Sequence, residues 1–343
     1  MRIYQVDATR TIAIFLLIIY HSWISFFIFM KPLGFVVNTF KAGNTTMDIF
    51  GIFMMILPIW RIPIIFLVSG MATCFSLEHR NWQGLLKERT LRILVPLIFG
   101  SFFIVPLTFV SYNYFYGIPQ FYFPNPGHLW FLINIYLYCL VLLPLFAYLK
   151  NNPDNRLIKV TKYCLNIPLG VLIIFVLPMA LEAVLVNPYY YSVWFDNHGL
   201  LVGLICFIIG LLYIHAGEVF WTSLNKVKVI CLFIAISLFI NRVVLTLAIS
   251  SGQPAYLSLM LINLLSSIES VCWILSILGF ISAYLNKKST LLLYLTPAVY
   301  PMYIVHLPIQ NYLATLISIL TIHPFIKFII LTSGTILGCL IFY

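Results

Sequence analysis

Apolar windows of about 20 residues, the length at which a helix spans the hydrocarbon core of a bilayer, recur ten times along this chain of 343 residues. They fall at Thr11–Met30, Pro58–Leu77, Arg92–Tyr112, His128–Leu149, Pro168–Val186, Leu200–His215, Val227–Ser250, Tyr256–Leu285, Leu291–Leu320 and Phe325–Tyr343. A lipid-exposed peptide group has no water to bond, so windows of this kind are confined to helices and the chain to an all-α integral membrane bundle. Hydrophobic residues make up 62% of it and charged residues 8%, a mixture that no soluble surface accommodates. No soluble domain, low-complexity tract or internal repeat interrupts the pattern, which reads as one polytopic domain over residues 1–343.

Loop charges orient the bundle, because Lys and Arg collect on the cytoplasmic side. Arg2 and Arg10, then Arg80, Lys87, Arg89 and Arg92, then Lys150, Arg156, Lys159 and Lys162, then Lys226 and Lys228, then Lys287 and Lys288 all fall on one side of a ten-span alternation. The opposite loops are nearly bare: Tyr112–Gly127, Asn187–Gly199 and Ser251–Ala255 carry one charge between them, Asp196, while Lys31 and Lys41 sit in the first outer loop as minor exceptions. The expectation is a multi-pass plasma (inner) membrane protein with both ends, and so the N-terminus, in the cytoplasm. The net charge of +10 follows from that bias and carries no nucleic-acid signal. The first apolar run is too long for a signal peptide and lacks a small-residue cleavage site, so it is read as a helix. The insert Lys31–Leu57 is expected to fold back on the outer surface, and where the natural chain ends beyond Tyr343 is open. Seven cysteines, none in a Cys-x-x-Cys pair, give neither a disulfide framework nor a zinc site, and no metal is expected.

His21 lies deep in the first window, eleven positions after Arg10. At about 100° per residue an i, i+11 pair returns to nearly one helix face, about 16 Å apart along the axis. Ionisable groups at membrane depth are costly and face a cavity or a partner, which makes His21 a candidate site, although a hydrogen-bonded structural histidine fits the same pattern. Arg89 and Arg92 recur at i, i+3 where the third span leaves the cytoplasm; the pair suits bidentate phosphate capture, and equally suits an interfacial anchor. With Arg10 and Lys87 they form a basic mouth for a phosphorylated cytosolic donor. No Gly-rich phosphate loop is present, which argues against ATP hydrolysis.

His306 closes Tyr300-Pro-Met-Tyr303-Ile-Val-His306 inside the ninth span, where a packing hydrogen bond and a catalytic role weigh equally. His128 and Trp130 open the fourth span and are expected at the outer interface. Arg61, Glu182, Arg242 and Glu269 sit within spans and are expected to pair with one another, with Asp7 a further structural charge. Pro63 loosens the helix beside Arg61, and Ser69-Gly70 permits close helix packing. The outer loops are rich in aromatics: Tyr112, Tyr114, Phe115, Tyr116, Phe121, Tyr122 and Phe123, then Tyr189, Tyr190, Tyr191, Trp194 and Phe195. Such rings anchor membrane interfaces, and they also stack on sugar faces.

Together these residues resemble the acyltransferase 3 family of polytopic membrane enzymes, in particular the branch of the periplasmic-glucan succinyltransferases. The matching features are Asp7 and Arg10 with His21, Arg61-x-Pro63 with Phe66 and Ser69-Gly70-Met71, Arg89-x-x-Arg92, His128-x-Trp130-Phe-Leu, and Tyr303-Ile-Val-His306, in that order along the chain. Ala8-Thr9-Arg10-Thr11 departs from the family's usual pattern, and the fused extracytoplasmic domain of some relatives is absent from this sequence. The resemblance implies transfer of an acetyl or succinyl group from cytosolic acyl-CoA, a co-substrate with no bound cofactor, to a hydroxyl of an extracytoplasmic glycan, with glycan-synthesis proteins as partners. On that basis Arg10, Arg89 and Arg92 hold the donor, and His21 is the base with His306 assisting. Arg61, His128 or Trp130 then position the acceptor or an oxyanion. Direct transfer and an acyl-histidine relay fit equally. A transporter or flippase for a glycan or lipid-linked intermediate is the rival reading, and a membrane scaffold leaves the Arg10–His21 geometry unused.

Overall fold

A computed structural model describes residues 3–26, 45–78, 81–188, 195–248 and 256–343, and among these every regular element is helical. Lys31, Lys41, Arg80, Tyr189, Tyr190, Tyr191, Trp194 and most of the insert Lys31–Leu57 lie outside the described residues. In chain order the helices are α1 (Tyr4–Ile24), α2 (Thr45–Met54), α3 (Leu57–Glu78), α4 (Trp82–Tyr116), α5 (Trp130–Val141), α6 (Leu143–Asn151), α7 (Arg156–Asn166), α8 (Gly170–Val186), α9 (Asn197–Ala216), α10 (Glu218–Ala248), α11 (Tyr256–Tyr284), α12 (Thr290–Ser318) and α13 (Pro324–Ile341).

Among the described residues seven helices are long and apolar enough to cross a membrane, or up to nine if each of two bent pairs is one span. The helix α1, with Gln5, Asp7, Arg10 and His21 among its 21 residues, is not one of the seven. The window His128–Leu149 is broken by 53° between α5 and α6, where Pro144 in the first turn of α6 supplies no N–H to the ladder. The segment Arg156–Asn166, read from sequence as a charged loop, is a helix set at 115° to α8. Its apolar residues Ile158 and Leu165 are buried while Arg156 and Lys159 are exposed and Lys162 is half-buried, the pattern of a helix lying along an interface.

The chain divides into two compact units, one of Met1–Thr9, Pro58–Arg89 and Asn134–Lys288, the other of Arg10–Leu57, Thr90–Ile133 and Ser289–Tyr343. In the first unit α3 and α9 meet backbone to backbone. A Cβ on Gly70 would stand 2.0 Å from the Phe207 carbonyl oxygen, and one on Gly210 2.0 Å from that of Leu67. Small residues are what allow two membrane helices so close an approach. Asp196 caps α9 by accepting from Gly199 N–H at 2.7 Å, and Ser270 Oγ ties α11 to α3 by donating to the Ile59 carbonyl at 2.7 Å.

In the second unit α1, α12 and α13 enclose a small apolar core of Ile18, Ala298, Met302 and Cys339, with Phe15, Val305, Ile309, Ile336 and Leu340 packed around it. The long helix α4 is not uniform: Thr90–Leu94 and Gly100–Ile104 are wide π turns. Each is followed by a proline, Pro96 or Pro106, whose missing N–H and ring break the regular ladder. Gly117, at φ 63°, ends α4 in the left-handed conformation that glycine adopts without strain.

Candidate active site

The second unit brings His21, His306 and His128 together. His21 stands on α1 three residues after Ile18, and His306 on α12 four residues after Met302, so both project one turn beyond the apolar core that locks these helices. Nδ1 of His21 lies 3.0 Å from Nε2 of His306, and the ring centroids are 5.1 Å apart. Nδ1 of His306 is 2.7 Å from the Tyr303 carbonyl oxygen.

This chain of contacts assigns the protons. A carbonyl only accepts, so Nδ1 of His306 is the protonated nitrogen, and in the neutral ring Nε2 is left as acceptor. His21 must then donate from Nδ1, which leaves Nε2 of His21 as the nitrogen with the lone pair. His306 is fully buried whereas His21 is partly exposed, so the ring whose Nε2 is basic is the more accessible of the two. A proton taken up at that Nε2 strengthens the bond from Nδ1–H to His306, which becomes charge-assisted. The arrangement is that of a base held in one tautomer by a buried second group.

The same face of α12 carries a residue that sequence reading overlooked. Gln310, one turn past His306 and fully buried, donates from Nε2 to Ser25 Oγ at 3.0 Å, and Ser25 Oγ donates to the His21 carbonyl at 2.9 Å. Asn311 Nδ2 reaches the Thr108 carbonyl of α4 at 3.4 Å. The pair His306 and Gln310 at i, i+4 in an apolar helix was the available signal.

His128 departs from its expected place at the outer interface. Its Nε2 donates to the Ile304 carbonyl at 3.0 Å, its carbonyl accepts from Tyr303 Oη, and its ring centroid is 5.0 Å from that of His306. The reason lies in the preceding segment, which runs back along α4: Asn125 N–H bonds the Ser101 carbonyl at 3.2 Å and Tyr122 Oη the Phe102 carbonyl at 2.8 Å. The helix α5 therefore starts level with the middle of α4. His21 is about 16 Å along α1 from Arg10, and Gly100, which packs on Leu129 and Ile304, is about 12 Å along α4 from Arg92.

The arginines divide between the units. Arg10 on α1 and the exposed Arg92 in the first π turn of α4 belong to the second unit. Arg89 belongs to the first, where its Nη2 donates to Ser76 Oγ at 3.2 Å and Thr73 Oγ1 at 3.4 Å. Arg61 is buried on α3 of the first unit, and Trp130 is partly buried at the start of α5. Asp7 sits in the first turn of α1, where a carboxylate complements the helix dipole.

Arg242 and Glu269 form the expected ion pair, bidentate at 2.7 and 2.9 Å, with Trp273 Nε1 also donating to Glu269 at 3.2 Å. Glu182 does not take an arginine: its Oε1 lies 2.7 Å from Nδ1 of the buried His198. His198 escaped notice because the sequence placed it in an outer loop, whereas it lies in the first turn of α9.

Searches of curated proteins and of solved structures return no match to this chain. A family model described as Acyltransferase domain matches residues 3–343. With its apolar helical architecture, the chain thus belongs to the Acyltransferase domain family and is a membrane acyltransferase, an enzyme that transfers acyl groups other than amino-acyl groups.

Proposed function

We propose that this enzyme moves an acetyl or succinyl group from cytosolic acyl-CoA to a hydroxyl of an extracytoplasmic glycan, as a ten-span protein of the inner membrane with a cytoplasmic N-terminus. The observation that carries the reading is the contact of Nδ1 of His21 with Nε2 of His306 at 3.0 Å, on a helix that bears Arg10 about 16 Å away. A cation at the membrane surface and a base at mid-depth suit a donor whose phosphates stay at the cytoplasmic face while its acyl thioester reaches inward. Arg10 and Arg92 take the phosphates as charge-assisted donors.

In the transfer, Nε2 of His21 accepts the proton of the acceptor hydroxyl as its oxygen attacks the thioester carbonyl. The C–S bond then breaks and the CoA thiolate leaves, taking that proton from His21 as the thiol. His306 receives the Nδ1–H bond and steadies the imidazolium in between. The role is a division of labour: His21 is the base, and His306 and Gln310 position it.

Membranes containing the protein, supplied with radiolabelled acetyl- or succinyl-CoA and a soluble glucan oligosaccharide, test the reading. Donor-dependent ester on the oligosaccharide, seen as an added acetyl or succinyl mass, is the expected result. Movement of intact glycan or lipid-linked sugar across the membrane without CoA release would favour transport instead.

A further inference from the structure

The segment Ile118–Pro126 is an extended strap that no helix or strand explains. It leaves Gly117 at the end of α4, bonds Asn113 through Ile118 N–H at 2.9 Å, and reaches Ser101 through Asn125 N–H at 3.2 Å. Those two anchors are twelve residues apart on α4, about 18 Å of helix, which seven extended residues comfortably cover. Residues 117–124 are all exposed. Pro119, Pro124 and Pro126 carry no N–H, and among the described residues the peptide N–H groups of Gln120, Phe121, Tyr122 and Phe123 make no backbone hydrogen bond. The lower anchors Ser101 and Phe102 stand nine and ten residues beyond Arg92, about 14 to 15 Å into α4, near the bilayer centre if Arg92 marks the interface.

The four open N–H groups lie between that level and Val110, whose carbonyl accepts from Gln120 Nε2 at 3.4 Å, along the outer half of α4; peptide groups left open within the hydrocarbon are not tolerated against lipid and persist where the backbone lines water. Elsewhere on α4, Phe99, Phe103 and Leu107 are equally exposed, but their backbone lies within the helix. Phe121 and Phe123 point to one side of the strap, with ring centroids 6.3 Å apart, and Phe123 is held edge-on against Phe109. The strap ends at His128, beside His306.

We propose that the strap lines a water-filled furrow leading from the outer face to the histidine cluster, and that the furrow holds a carbohydrate chain. Open N–H groups meet the sugar hydroxyls, the Phe121 and Phe123 rings stack on the C–H faces of sugar rings, and the chain's leading hydroxyl arrives at His21. The carbohydrate part rests on the acyl-transfer reading above; the wetting of the strap does not.

The test is thiol accessibility. Gln120→Cys, Phe121→Cys and Phe123→Cys variants are made separately in the full chain, with Phe103→Cys as the lipid-facing control and the parent protein as background. Each is treated from the extracytoplasmic side with a membrane-impermeant maleimide. Since maleimide needs hydrated thiolate, the strap cysteines should label about tenfold or more faster than Phe103→Cys. A soluble glucan oligosaccharide should slow that labelling. Strap cysteines no faster than Phe103→Cys, or labelled only from the cytoplasmic side, would overturn the furrow; labelling that the oligosaccharide leaves unchanged would overturn the carbohydrate. Labelling needs no turnover, so it separates failure of this proposal from failure of the acyl-transfer reading.

Discussion

Removing His306 separates orientation of the base from the base itself. In His306→Ala, Nδ1–H of His21 loses the acceptor that stands 3.0 Å away and fixes its tautomer. A hydrogen bond to a charged group contributes about 1.5–3 kcal/mol, and this one reaches that strength only when His21 carries the substrate proton. At about 1.4 kcal/mol per tenfold, kcat should fall roughly 10- to 150-fold, with the KM for acyl-CoA unchanged. His306→Gln supplies a side-chain carbonyl that can accept the same N–H, and should keep kcat within about tenfold of the parent. Initial rates of acyl transfer in membranes, normalised to protein amount by immunoblot and accompanied by thermal melting, give both values. A folded Ala variant with parental kcat, or Gln and Ala variants equally impaired, would refute the orienting role.

Three further outcomes follow from the geometry. Gly70→Ala and Gly210→Ala each drive a Cβ to 2.0 Å from a backbone oxygen, so each should lower the melting midpoint in detergent by the equivalent of about 1–3 kcal/mol, and unchanged melting would contradict the close α3–α9 contact. Arg242→Met strands the Glu269 carboxylate, whose side chain is 1% exposed, and should cost about 3–5 kcal/mol, while Arg242→Met with Glu269→Leu should recover most of it; equal loss in both would mean the pair is not what matters. Arg10→Ala and Arg92→Ala should each raise the KM for acyl-CoA about tenfold and leave that for the glucan unchanged, and unaltered donor KM in both would remove these arginines from the donor site.

Spacing along the chain relates residues within one helix, whereas contacts between helices were legible only where buried charge demanded a partner. Arg10 and His21 share α1, so helical periodicity alone relates them. His21 and His306 are 285 residues apart, and their meeting depends on how α1 and α12 pack around Ile18 and Met302, which no spacing encodes. Arg242 and Glu269 were legible as partners because a buried charge has few choices in an apolar chain. Glu182 went to His198 instead, since α9 begins earlier than the hydropathy window at Leu200 and draws that histidine into its first turn. His128 was displaced for a related reason: hydropathy locates where an apolar run starts, not how deep it starts. The strap Ile118–Pro126 carries it to the level of Ser101.

The central claim is that Nε2 of His21 removes the proton from the acceptor. Acyl transfer from labelled acyl-CoA to glucan, measured in membranes for the parent and for His21→Ala at matched protein abundance, tests it most directly. A general base contributes about 10²- to 10⁴-fold, so the variant should bind acyl-CoA as the parent does and lose at least about a hundredfold in turnover. Turnover equal to the parent would contradict the assignment of His21 as the base.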